Sequence, residues 1–251
     1  MKTLLIDGDA IAYILGWKFR EYVSGDEHLM EYSVDQFIAS MLQLHDATHY
    51  IGALGTNPTF RHQLYRFAPY KGTRKEPDDW VRKWKPLVNA RLVNHWQFTS
   101  IDYLEADDIV AWSSTRKDLG EIVICSPDKD LNQMPGMLYN YQTGEMRQIS
   151  PEEAKESFQM QMLTGDTTDN IKGIPGLGPV KARKKLDESG VTLLQLYVDY
   201  FGQYYGQIIY TETLGTVQLL QPGHDYESYF DRYLDAIQPV EYNLNSSVFE
   251  A

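Results

Sequence analysis

The sequence predicts an α/β fold in which a mostly parallel sheet is flanked by helices on both faces. Two observations carry the prediction. Short apolar runs alternate with stretches of helical spacing, and the runs over residues 3–6 and 121–125 each stop just before acids, at Asp7 and at Asp128-Lys129-Asp130. Strands buried on both faces read as continuous apolar runs, and an open parallel sheet gathers ligand groups beyond the carboxyl ends of its strands.

In chain order, residues 3–6 form the first strand, which delivers Asp7-Gly8-Asp9 to that edge. Val34, Phe37, Ile38, Met41, Leu42 and Leu44 recur at helical spacing, so residues 34–47 are a helix and residues 49–54 the next strand. A helix over 101–117, a strand over 121–125 and another over 137–141 continue the alternation. Residues 60–92 are basic and aromatic, and Pro69, Pro77 and Pro86 divide them into short helical pieces. Pro151-Glu152-Glu153 opens a helix with proline at its first position and acids after it. A basic helix runs over 180–186, and helical stretches over 193–210 and 226–237 carry no assignable motif. Two regions follow: 1–150 as the α/β domain and 151–251 as a helical region.

At 251 residues, with 43% apolar and 13% aromatic content, the chain can bury a sizeable core. Its formal charge of −12 argues at first against a polyanionic partner. The distribution answers the objection: residues 61–91 hold nine Lys/Arg against three acids, and residues 171–185 hold five against none. Cys125 is the only cysteine, so no intrachain disulfide forms and a cytoplasmic setting is expected. The apolar run before Asp7 is too short for a signal peptide, and nothing approaches the ~20 apolar residues of a membrane span, so no membrane partner is expected.

Three acidic clusters dominate residues 100–179: Glu105-Ala-Asp107-Asp108, Asp128-Lys129-Asp130 and Asp166-Thr-Thr-Asp169. The first two have a structural reading. Asp102 and Glu105 fit a capping box, acids in a first turn complement a helix dipole, and a lone DxD is a common turn. Converging on one sheet edge, these acids with Asp7 would repel one another unless cations sat among them. Oxygen ligands without Cys or His suit Mg²⁺ or Mn²⁺, and two such ions support phosphodiester hydrolysis.

Gly173-Ile-Pro-Gly176-Leu-Gly178-Pro179 is a tight turn entering a helix, with amides open to a phosphate and Lys181, Arg183, Lys184 and Lys185 behind it. The alternative is an ordinary helical hairpin with a solvated basic face. Lys71 and Arg74 can clamp a phosphate above the metals, or lie in a plain surface loop. Trp80 and Trp84, spaced by four, favour packing over base stacking.

Together these motifs resemble the 5′-nuclease (flap endonuclease) superfamily, in particular the 5′-nuclease domain of bacterial DNA polymerase I and its stand-alone phage relatives. The matching pieces are Leu5-Ile6-Asp7-Gly8, Phe60-Arg61-His62, Tyr70-Lys71-Gly72-Thr73-Arg74, the three acidic clusters, and Thr164 to Ile171 running into the glycine hairpin. The resemblance implies a PIN-like domain, a helical arch over 61–92, and a helix-three-turn-helix element at the hairpin 173–179 that grips duplex DNA. It implies a structure-specific nuclease of DNA replication and repair, a monomer acting on 5′ flaps and 5′ ends in a bacterial cell or phage-infected host. Asp7, Glu105, Asp107, Asp108, Asp128, Asp130, Asp166 and Asp169 correspond to a two-metal ligand set. Lys71 and Arg74 correspond to the cations at the scissile phosphate. Gly173, Gly176, Gly178, Lys181, Arg183 and Lys184 fall on the DNA-binding hairpin, which in relatives also holds a potassium ion. One position departs: relatives carry an Asp at the end of the second strand, and residues 53–57 here read Ala-Leu-Gly-Thr-Asn. That departure leaves an alternative open, a catalytically weakened protein that binds branched DNA with the same fold.

Overall fold

A computed structural model describes residues 1–20 and 27–244. Its centre is a six-stranded sheet. The first half of the chain supplies β1 (Lys2–Asp7), α1 (Ile11–Lys18), α2 (Glu27–Leu44), β2 (His49–Ala53), α3 (Arg61–Leu64), α4 (Asp79–Asn94), α5 (Ala106–Ser114) and β3 (Glu121–Cys125). A 3₁₀ turn (Lys129–Gln133), β4 (Gly136–Asn140) and β5 (Glu145–Ile149) follow. The helical region holds α6 (Pro151–Thr164), the two-residue strands β6 (Gly165–Asp166) and β7 (Ile171–Lys172), then α7 (Pro179–Leu186), α8 (Leu193–Phe201) and α9 (Gln203–Val217). The chain closes with α10 (Glu227–Leu234) and β8 (Val240–Glu241).

The sheet order is β5-β4-β3-β1-β2-β8; β4, β3, β1 and β2 are parallel, and the antiparallel strands β5 and β8 lie at the edges. Alternation along the strands divides the core. Leu4, Ile6, Val123 and Cys125 face α1, α2 and α4, whereas Leu5, Ile51 and Ile124 face α5 and α10. A third cluster, with Met162, Leu163, Ile174, Ala182 and Tyr197, serves the helical region and takes in Tyr65 and Tyr70.

Several expectations are corrected. The helix expected from residue 101 starts at Ala106, because residues 101–104 are tied to the loop after β2: Thr56 N–H donates to Leu104 O at 2.8 Å and Phe60 N–H to Tyr103 O at 2.9 Å. The capping box therefore joins Glu105 and Asp108 rather than Asp102 and Glu105. Pro86 does not end its helix: α4 runs through it, burying Val81, Trp84, Val88 and Leu92 along one face. An interior proline costs roughly 3 kcal/mol, and each buried large apolar side chain returns about 1.5–3 kcal/mol. The same packing on α1 and α2 means that α4 is part of the body and not a free arch. From residues 61–92, Lys71 and Arg74 of the segment between α3 and α4 line the acidic cleft. Residues 193–210 form two helices, broken at Gly202. The boundary at residue 150 does not hold to the end of the chain either. Leu219, Leu220, Phe230 and Leu234 pack under α5, and Tyr50 of β2 pairs with Val240 of β8.

Candidate metal centre and nucleic-acid interface

The parallel strands deliver acids where the alternation predicts. Asp7 ends β1, Asp128 follows β3, and Glu105 caps α5, so Asp107 and Asp108 sit in its first turn, where the helix dipole favours negative charge. The end of β6 adds Asp166, and the loop from it to β7 adds Asp169. Asp7, Glu105, Asp107, Asp128, Asp130, Asp166, Asp169, Lys71 and Arg74 all line one cleft of about 470 Å³.

Two triads of carboxylates share Asp107. In Glu105, Asp107 and Asp108, and again in Asp107, Asp128 and Asp130, one oxygen per residue lies within 4.8 Å of the others. The Oδ1 atom of Asp107 is buried and has no hydrogen-bond partner. A buried unpartnered carboxylate oxygen is costly unless a cation meets it. With hard oxygen donors only, the set fits Mg²⁺ or Mn²⁺.

The electrostatics express the crowding. Burial, then the charges of Asp108 and Glu105, pushes the Asp107 carboxyl well above the usual range. Burial with the neighbouring Asp9 raises Asp7 to about 7, and burial with Asp128 raises Asp130 to about 6. Glu105 is also buried, but Arg61 and Lys71 outweigh that and hold it below the ordinary value. Lys129 does the same for Asp166.

Cations and hydroxyls fix the cleft walls. Lys71 Nζ donates to Glu105 and lies 3.9 Å from Asp169 Oδ2, and Arg74 Nη2 donates to Asp169 Oδ1 at 2.6 Å. Lys71 N–H donates to the Asp169 carbonyl at 2.8 Å, strapping the segment after α3 onto the β6–β7 loop. The Tyr70 hydroxyl, buried, reaches Glu105 Oε2 at 2.7 Å and Asp169 Oδ2 at 3.0 Å. Ser126 Oγ donates to Asp7 Oδ2 at 2.7 Å, and Gln161 Nε2 to Asp130 Oδ1 at 3.0 Å.

Asp108, expected among the ligands, is placed differently. It is wholly buried, both its oxygens accept from Arg61, and the amides of Leu220 and Glu105 add further donors at 3.1 and 3.3 Å. These contacts occupy its lone pairs and make it the anchor of Arg61. Arg61 is thereby removed from the basic surface expected over residues 61–91. Arg91 is likewise turned inward to Asp35, and Arg66 pairs with Glu212.

At the hairpin, Gly173 is a packing residue. A Cβ there would stand 2.3 Å from Leu163 O, so its smallness serves the β6–β7 join rather than a phosphate. Gly176, at φ +76°, and Gly178, which caps α7, have open space before them. Lys181 and Lys184 are exposed beside them, and Arg183 pairs with Glu156 of α6.

Motif reading passed over Tyr70, Ser126 and Asp9. Asp9 lines the same cleft, two residues past Asp7, and its position in Asp7-Gly8-Asp9 was the available clue.

A mostly parallel α/β domain with an acidic cleft at the carboxyl ends of its strands and a glycine hairpin entering a helix is the class that fold and site define. The chain belongs to the family described as 5'-3' exonuclease, N-terminal resolvase-like domain, which it matches over residues 2–159. DNA polymerase I of Bacillus subtilis is 28% identical over 208 residues, covering 74% of this chain and 23% of that protein. The chain thus spans about a quarter of the length of that relative. A 5'-3' exonuclease of Mycoplasma genitalium is 28% identical over 223 residues, covering 79% of this chain and 76% of that one. Flap endonuclease Xni of Shewanella frigidimarina is 31% identical over 170 residues, covering 62% and 65% respectively. Among solved structures, T5 5'-exonuclease with bound zinc superposes with a TM-score of 0.67 at 17% identity, covering 94% of this chain and 97% of that one. This likeness shows a shared fold.

Proposed function

We propose that the chain is a divalent-metal-dependent, structure-specific 5′-nuclease that hydrolyses DNA phosphodiesters at 5′ flaps and 5′ ends. One observation carries the reading: Asp107, whose carboxylate oxygens lie close to those of Glu105 on one side and of Asp128 and Asp130 on the other, shares a cleft with these three acids and with Lys71 and Arg74. Relatives described as a 5'-3' exonuclease and a flap endonuclease support it, as does a fold likeness to a T5 flap endonuclease complexed with DNA and metal ions, at TM-score 0.63 and 16% identity.

Glu105 and Asp107 would hold one Mg²⁺ or Mn²⁺, and Asp107, Asp128 and Asp130 a second, with Asp7, Asp166 and Asp169 on the surrounding walls. When bound, such a pair of ions activates water and stabilises the leaving oxygen of an in-line displacement. Lys71 and Arg74 draw the scissile phosphate into the cleft and balance charge that develops on it. Tyr70 and Ser126 orient the carboxylates they touch. Gly176, Gly178, Lys181 and Lys184 grip duplex phosphates at the α7 N-terminus. By the resemblance, that hairpin also takes a potassium ion.

A catalytically weakened DNA-binding protein was the alternative, motivated by the missing carboxylate at residues 53–57. Asp9 at that corner of the cleft removes much of its motive. Cleavage of a 5′-flap duplex, abolished by EDTA and in Asp128→Asn, is the expected result. Tight flap binding with turnover no faster than Asp128→Asn would establish the alternative instead.

A further inference from the structure

The parallel register of β1 and β2 sets Asp7 beside Ala53. Two residues further along each chain, Asp9 meets Gly55, and the Gly55 N–H donates to Asp9 Oδ1 at 3.0 Å. The contact is close-packed as well as hydrogen-bonded. A Cβ on residue 55 would stand 2.5 Å from Asp9 Oδ2, so this carboxylate keeps its place only because residue 55 is glycine. Oδ2 has no hydrogen-bond donor among the described residues. Asp9 faces the same cleft as Asp7, Glu105, Asp107 and Lys71. Leu54, Gly55, Thr56 and Asn57, which leave the sheet at this edge, carry no carboxylate of their own.

We infer that Asp9 is a further member of the metal-holding set, supplying from the turn after β1 the carboxylate that the loop after β2 lacks. This rests on the metal-centre reading above and adds to it a residue outside the ligand set that the resemblance implies. One oxygen is anchored by a backbone amide and the other is left for a hard divalent cation, the division seen when a ligating carboxylate is oriented by an outer hydrogen bond. A purely structural role, capping the β2 loop, would need the Oδ1 acceptor alone and not the charge.

Asp9→Asn separates the two, because the amide oxygen can still accept from Gly55 N–H while the charge is gone. Mn²⁺ binding to the DNA-free full chain, counted by electron paramagnetic resonance of free Mn²⁺ and accompanied by thermal unfolding, is the measurement. The metal-free unfolding temperature is expected to stay at the parent value or rise slightly, with Mn²⁺ affinity lower by about tenfold or more. Should Asn prove unstable, Asp9→Ser keeps an oxygen for the Gly55 amide and gives the same comparison. Parent-like Mn²⁺ affinity and count in the Asp9 variant, with loss in Asp128→Asn, overturns the role of Asp9 and leaves the metal centre standing. A parent protein that binds no Mn²⁺ overturns both.

Discussion

Arg61 and Asp108 form a buried bidentate pair, with Nη2 2.7 Å from Oδ1 and each side chain no more than 2% exposed. Burial opposes the charge on Arg61, and the facing Asp108 carboxylate overcomes it. The pair joins α3 to the first turn of α5 and, through the carbonyls of Thr216 and Gln218, to the end of α9. Removing one partner from such a pair leaves an uncompensated charge, which costs about 3–5 kcal/mol. Asp108→Ala should therefore lose stability on that scale in urea unfolding. A change below about 1 kcal/mol would mean that the pair is not an anchor.

Lys71 touches Glu105 in the acidic cleft, yet its proposed work is on the phosphate as charge develops. Lys71→Ala should lower single-turnover flap cleavage by about 10²–10³-fold while flap affinity, measured in Ca²⁺, changes by only about threefold or less. Equal losses in both would assign Lys71 to ground-state binding.

The raised carboxyls set a pH dependence for the metal-free protein. Asp7, at about 7, and Asp130, at about 6, hold protons in the fold that the unfolded chain has already released above its ordinary value of 3.8. The native state binds more protons in this window, so stability falls as pH rises from about 4 to 7. Glu105 and Asp166, which are depressed, act the other way, losing their contribution as pH falls through their lowered values. In EDTA, the urea midpoint should be higher at pH 5.5 than at pH 7.5. A midpoint that is flat or rises with pH contradicts this account.

Lys181 is exposed at the start of α7, with Nζ 3.2 Å from Gly176 O. Lys181→Glu should weaken duplex binding and reduce the slope of log affinity against log salt by about one phosphate contact or more. An unchanged slope would remove the hairpin from the interface.

Two hairpin glycines should behave differently. Gly173→Ala drives a Cβ into Leu163 O and should lower stability by more than about 2 kcal/mol, because the clash is with backbone. Gly178→Ala has φ −72° and open space, so it should cost about 1 kcal/mol or less while still impairing duplex affinity. Matching thermal losses in the two would mean that Gly178 is also structural.

Sequence alone determined the four parallel strands, the order of the acids and the class of chemistry they favour, but not the antiparallel edge strands β5 and β8 or the short pair β6–β7. An apolar run ending in an acid is a local pattern, and parallel pairing then puts every such acid at one edge: Asp7 and Asp128 needed only their own flanking residues to be placed there. Tertiary structure decided which acids face the cleft and which serve the frame. Asp107 and Asp108 are adjacent in the chain and equal in type, yet successive helix positions point about 100° apart, so Asp107 looks into the cleft and Asp108 into Arg61. The same holds for the basic surface, where Arg61 and Arg91 were counted as phosphate-facing until their partners, 47 and 56 residues away, turned them inward. Asp9 completes the contrast. Its carboxylate, carried just past β1, sits against the loop after β2, a proximity visible only once the β1–β2 register sets Asp9 against Gly55, since closeness across a sheet is not encoded in either segment by itself.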